Sequence, residues 1–146
     1  MTPLELYIWV AMSFHNVPCL WGGNNPFTGL DCSGFWLLAS RSAGLKVADV
    51  DRTAQQIYEY VSIDPAWMEA HGPVRGATLF FGKDLHSIDH ITIALDNQYM
   101  IGAEGCRPGM TREQAMRADA RVKIRPIDDR RHLIAIYKPP LEGEIK

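Results

Sequence analysis

The sequence predicts an α+β domain. Helical periodicity dominates the first part of the chain, alternating apolar residues dominate the second, and a glycine-rich loop lies among the helices. Its 146 residues suit a single domain, 1–146, around one core. Residues 3–14 read as a helix, with Pro3 in the first turn and Leu4, Tyr7, Ile8 and Met12 at helical spacing. Residues 16–31 hold Pro18, Gly22, Gly23, Asn24, Asn25, Pro26 and Gly29, which read as a loop. A second helix is expected from Cys32 to a stop at Gly44, and a third over residues 52–62. Strands follow at Ala77–Phe81, after Gly76, and at His90–Leu95, with Asp96-Asn97 as a tight hairpin turn into Gln98–Ala103. Thr111 and Gln114 form a capping-box pair for a short helix. Arg121–Ile127 and His132–Lys138 complete the sheet, and Pro139-Pro140 end it. The result is N-terminal helices packed on an antiparallel sheet.

Composition narrows the function. Residues are 47% hydrophobic and 22% charged, which suits a packed core rather than a disordered chain. The net charge is −2 with the signs interspersed, so no basic stripe marks a nucleic-acid partner. No apolar run is long enough for a membrane span. Met1–Val10 carries Glu5 and no basic cluster, so it does not read as a secretory signal. The mixed run Asp128, Asp129, Arg130, Arg131 reads as a solvated turn. The basic residues between Arg107 and Lys123, interleaved with Glu113 and Asp119, read as a solvated face. Trp9, Trp21, Trp36 and Trp67 supply either core or the wall of a groove.

Three cysteines, Cys19, Cys32 and Cys106, with no CxxC spacing, argue against a disulfide framework and against a zinc site. They fit synthesis in a reducing compartment where thiols stay free.

Chemistry concentrates between Trp21-Gly22-Gly23 and Asp31-Cys32-Ser33-Gly34-Phe35. A loop delivers Cys32 to the first turn of a helix. Unpaired N–H groups and the positive end of the helix dipole favour a thiolate there, predicting a pKa below the free value of about 8.5. The same N–H groups suit the oxyanion formed when sulfur attacks a carbonyl. A nucleophilic cysteine needs a base. Of the five histidines, His90 opens a strand, whereas His86 lies in a polar loop and His15, His71 and His132 lie beside turns.

The order Pro18-Cys19-Leu20-Trp21-Gly22-Gly23, then Gly29-Leu30-Asp31-Cys32-Ser33-Gly34-Phe35, then His90-Ile91-Thr92-Ile93-Ala94-Leu95, resembles the NlpC/P60 cysteine peptidases over about residues 5–105. The resemblance implies a papain-like fold and cleavage of the D-glutamyl–diamino acid amide of peptidoglycan stem peptides. It makes Cys32 the nucleophile and His90 the base. Asp31 matches the residue that receives the substrate's amine, and Ser33 and Trp21 line the groove. Cys19 replaces a tyrosine whose hydroxyl helps the oxyanion hole, which places it among the substrate-contacting positions. The third polar residue of the family falls at Gly102. Glu104, two residues on and on the same strand face, is either the replacement partner of the imidazole or a solvated strand end. Asn97, in the turn, is the poorer candidate. No metal or organic cofactor is implied.

Arg52-Thr53-Ala54-Gln55-Gln56-Ile57-Tyr58 and Gly76-Ala77-Thr78-Leu79-Phe80-Phe81-Gly82 resemble small phage and prophage versions. Expected partners are therefore cell-wall peptides and phage tail or baseplate proteins. The expected route is synthesis in the bacterial cytoplasm and action in the wall, as a virion component or at lysis. Two alternatives stand beside the peptidase: a low-activity structural component of a tail, and a cysteine amidase or acyltransferase on another substrate.

Overall fold

Thr2, Asp31, Thr53 and Thr111 each accept a backbone N–H three residues ahead on a side-chain oxygen. They start α1 (Pro3–Ser13), α2 (Cys32–Ser42), α3 (Ala54–Ile63) and α4 (Arg112–Arg117). Thr2, Thr53 and Thr111 complete reciprocal capping boxes with Glu5, Gln56 and Gln114, the last as the sequence predicts. Gly44 ends α2 as expected. At φ +87 its N–H donates to the Arg41 carbonyl and the Leu45 N–H to that of Ser40, a Schellman closure that favours glycine.

The computed structural model describes residues 1–47 and 52–141. A two-residue pair, β1 (Asn24–Asn25) and β2 (Gly29–Leu30), precedes α2. The main strands are β3 (Met68–Glu69), β4 (Thr78–Gly82), β5 (Ile88–Ala94), β6 (Tyr99–Glu104), β7 (Arg121–Pro126) and β8 (Leu133–Lys138). They form an antiparallel sheet in the order β3-β8-β4-β5-β6-β7. The α+β prediction therefore holds. β1, β2 and β3 escaped it because two residues carry no periodicity. The β5–β6 turn is wider than a two-residue hairpin: the Leu95 N–H donates to the Tyr99 carbonyl at 2.8 Å, and the Asp96 carboxylate accepts the N–H groups of Gln98 and Tyr99.

The core fills both sheet faces. Tyr7, Phe35, Trp36 and Ile57 from the helices pack on Phe80, Ile91, Ile93 and Ile101. A smaller cluster of Leu79, Phe81, Met100 and Ile136 lies on the opposite face. Each such side chain contributes about 1.5–3 kcal/mol of burial. Trp36 is core: its indole N–H donates to Thr78 at 3.1 Å and its ring lies 5.8 Å from that of Trp67. Trp9 and Trp21 are exposed.

The free-thiol expectation fails for two of the three cysteines. Cys19 and Cys106 are bonded to each other across 87 residues, and Cys32 alone is free. An odd count accommodates one bridge plus one thiol kept for another purpose. Cys19 is buried and closed off by that bond, so it offers no group to a substrate, against the role expected of it. Its backbone is held as firmly, the N–H donating to the Ala120 carbonyl at 2.9 Å. Unfolded without reductant, the chain is expected to titrate one thiol with a disulfide-exchange reagent. Three reactive thiols would contradict the bridge.

Candidate active site

The site grows from the cap of α2. The Asp31 carboxylate accepts the Gly34 N–H at 2.7 Å, the Ser33 hydroxyl at 3.2 Å and the Gly22 N–H at 3.1 Å. One side chain thus starts the helix and fastens the Gly22-Gly23 loop to it. The Asp31 N–H donates to the Gly23 carbonyl at 3.0 Å. This close approach explains the glycines around the cysteine. A Cβ on Gly34 would run into the Gly23 carbonyl oxygen, and one on Gly23 into that of Gly29. Cys32 emerges half-buried at the helix start.

The sheet opens to receive it. β5 and β6 are paired only at Ile93–Ile101 and Ala94–Met100, although β5 begins at Ile88 and β6 runs to Glu104. Beyond the last pair the ladder between the two strands stops, and the Ile91 N–H is among the groups that favour the Cys32 thiolate. His90, one residue earlier, points to the other sheet face, with its ring 5.8 Å from that of Phe81.

Continuing the β5–β6 register puts Glu104 opposite His90. The imidazole Nε2 lies 3.0 Å from Glu104 Oε1, and both residues are buried, with Glu104 2% exposed. Glu104 is therefore not a solvated strand end: it is buried with its carboxylate against the imidazole. The family position, Gly102, instead lies against Thr92, whose methyl a Cβ there would meet at 2.7 Å. The second carboxylate oxygen takes Arg125 Nη1 at 3.1 Å and lies 3.5 Å from Arg130 Nη1. Burial opposes ionisation of Glu104. The hydrogen bond and charge of His90, with the charges of Arg130 and Arg125, outweigh it and hold the carboxyl below its usual range.

Cys32 departs from its expectation. Its thiol is pushed up to about 12, first by burial and then by the negative charge of Asp31; the N–H groups of Ile91 and Ser33 and the charge of Arg130 offset this only in part. The positive end of α2 is already engaged by the Asp31 carboxylate, so the dipole does little for the sulfur. The resting thiol is therefore neutral and needs a base. The neutral form is favoured in the folded state, so its stabilisation is complete below the ordinary thiol value of 9.0 and is lost as pH rises towards 12. Urea midpoints of the wild type are expected to fall more steeply above pH 9 than those of Cys32→Ala. Parallel curves would contradict the raised value.

Cys32, His90, Asp31, Ser33 and Trp21 line one cleft of about 690 Å³, together with Arg130 and Cys106. Glu104 stands behind His90. His86 and Asn97 are not in the cleft lining. Arg130 corrects the reading of residues 128–131 as a plain solvated turn: its guanidinium lies 5.6 Å over the Phe81 ring and reaches Glu104 and Asp89. No local pattern could reveal it, because the β4–β8 pairing brings that segment to the site.

The sequence profile of the NlpC/P60 family matches residues 16–121, a span holding the cap loop, Cys32, His90 and Glu104. The chain belongs to the NlpC/P60 family. Solved NlpC/P60 domains share its fold. The domain of the peptidoglycan hydrolase SagA superposes with a TM-score of 0.66 at 20% identity, covering 91% of this chain and 96% of that one. The P60 domain of an antigen from M. avium subspecies paratuberculosis gives 0.68 at 21%, covering 97% and 96%. The peptidoglycan hydrolase RipB from Mycobacterium tuberculosis gives 0.68 at 22%, covering 97% of this chain and 66% of that one. No curated protein sequence matches the chain. Two local features mark this chain: the bridge from Cys19 to Cys106, and the Glu104 carboxylate held against His90.

Proposed function

We propose that the chain is a cell-wall cysteine peptidase that cleaves the D-glutamyl–diamino acid amide of peptidoglycan stem peptides. The observation that carries this reading is a free thiol at a helix start and a carboxylate-tethered imidazole opening into one cleft. Membership of NlpC/P60, with likeness in fold to the NlpC/P60 domain of the peptidoglycan hydrolase SagA and to the peptidoglycan hydrolase RipB, supports the substrate class.

In this reading His90 takes the Cys32 proton as the sulfur adds to the amide carbonyl. Glu104 fixes the ring and stabilises the imidazolium without touching the substrate. The Cys32 N–H at the start of α2 receives the oxyanion. The tetrahedral adduct collapses, the imidazolium proton passes to the departing amine, and a thioacyl-enzyme remains. Water, deprotonated by His90, then releases the acid and frees the thiol. Asp31 takes the amine of the substrate, and Ser33 and Trp21 shape the groove around it. The test is mass spectrometry of muropeptides digested by wild type and by Cys32→Ala. Fragments split at the glutamyl amide are expected from the wild type alone, and intact muropeptides with both proteins would refute the reading.

A second reading, a low-turnover component of a phage tail or baseplate, draws on the raised thiol and on the loss of the family tyrosine at Cys19. Alkylation by iodoacetamide separates the two. A Cys32 rate that drops in His90→Ala supports the peptidase, and a rate indifferent to His90 supports the scaffold.

A further inference from the structure

A second, smaller pocket of about 330 Å³ adjoins the cleft and shares Asp89 and Arg130 with it; Gly82, Lys83, Arg131 and His132 complete its lining. Its charge is lopsided. Lys83, Arg130 and Arg131 face it with Asp89 as the carboxylate among them. Arg130 is already engaged, 3.8 Å from Asp89 and 3.5 Å from Glu104. Among the described residues neither Lys83 nor Arg131 has an ion-pair partner. Two uncompensated cations therefore converge on a concavity that opens off the nucleophile's cleft.

The backbone there is irregular in a concerted way. The register of β4 slips against β5 between Phe81 and Gly82, and against β8 between Phe80 and Phe81. His132 adopts φ +67, a left-handed conformation that costs a non-glycine residue energy, and its carbonyl accepts the Gly82 N–H at 2.9 Å. Bulges re-aim side chains and collect beside active sites. Here the shifts lie at the end of β4 and the start of β8, next to Lys83 and Arg131, which edge the same hollow.

We propose that this pocket is a subsite for a carboxylate of the substrate peptide. The inference rests on the peptidase reading given above. A glutamyl residue has two carboxyl groups and uses one in the scissile amide, so the other, a carboxylate unless amidated, travels with that bond. Lys83 and Arg131 supply charge-assisted hydrogen bonds to it, and Arg130 carries the field from the pocket to the cleft. Peptides with that carboxylate amidated are then poorer substrates.

The experiment compares the wild type with Lys83→Ala/Arg131→Ala on a defined stem peptide and on its carboxamide counterpart. A charge-assisted contact in a solvent-open pocket predicts a preference of about tenfold in kcat/KM for the carboxylate peptide. The double variant is expected to lose that preference through KM, with its rate on the carboxamide unchanged. Equal loss on both peptides, or an unchanged preference, overturns the subsite. Reduced lysis of phosphate-polymer-bearing walls with unaltered short-peptide cleavage would assign the pocket to wall phosphate and also overturn it. A second measurement stands apart from turnover: NMR titration of Cys32→Ala with glutarate, with and without the Lys83 and Arg131 changes. Glutarate shifts at Lys83 and Arg131 without any peptide cleavage by the wild type would defeat the peptidase reading while keeping the anion pocket. Cleavage without such shifts would do the reverse.

Discussion

Cys32→Ala is expected to remove amide hydrolysis, by a factor on the order of 10⁶ if nucleophile loss here resembles that in other covalent hydrolases. The fold should survive. Cys32 is half-buried at a cleft mouth, and the hydrogen bonds that start α2 come from Asp31, not from the sulfur. Alanine is also a good helix former. The measurement is turnover on a defined muropeptide beside a circular dichroism melt. Persistent turnover in a folded Cys32→Ala protein would require a different nucleophile, and none is offered by Cys19 or Cys106, which are bonded to each other.

Glu104→Gln has the second-largest expected effect, and it acts on both rate and stability. The amide keeps the shape of the side chain but removes its charge and lets an N–H₂ group face His90 Nε2. The ring then loses the acceptor that fixes its tautomer and the anion that stabilises its protonated form. Comparable carboxylate losses in triads cost up to about 10⁴ in turnover, so a fall of 10² to 10⁴ is expected. Arg125 and Arg130 meanwhile lose their shared anion. Breaking a fully buried pair costs about 3–5 kcal/mol; these arginines are 30% and 32% exposed, which puts the expected loss at or below the lower end. The pH dependence has a definite sign. The folded carboxyl lies below its ordinary value of 4.5, so its stabilisation is full above that value and disappears as pH falls through the folded one. Urea unfolding should therefore show a large gap between wild type and Glu104→Gln at pH 7 that narrows in acid. A gap that widens in acid, or turnover within twofold of wild type, would remove Glu104 from the machinery.

Local patterns in the sequence were enough for the long elements and for half of the site. The caps at Thr111 and Gln114, the stop at Gly44 and the alternation through Ile91 and Ile93 are all short-range signals, and the elements follow them. Cys32 and His90 were legible because a cap loop and a strand start announce themselves locally. What failed to show depends on tertiary placement. Cys19 and Cys106 meet only once the chain has folded the loop before α2 beside the segment after β6. Arg130 reaches the cleft through the pairing of β8 with β4. The thiol shift reflects burial and the neighbouring Asp31, neither of which is carried by the helix-start pattern itself. Glu104 sat between these cases. Strand alternation placed it on the right face, but only the register sets it against His90.

The central claim is that one sulfur becomes covalently acylated with the help of an imidazole across an opened pair of strands. Acid-quenched intact-mass spectrometry of enzyme mixed with a muropeptide tests it most directly. The predicted result is a transient mass gain equal to the acyl fragment, mapped to the peptide containing Cys32 and lost in both Cys32→Ala and His90→Ala. Peptide cleavage at full rate with no acyl adduct at Cys32, or an adduct that forms equally fast without His90, would contradict the account.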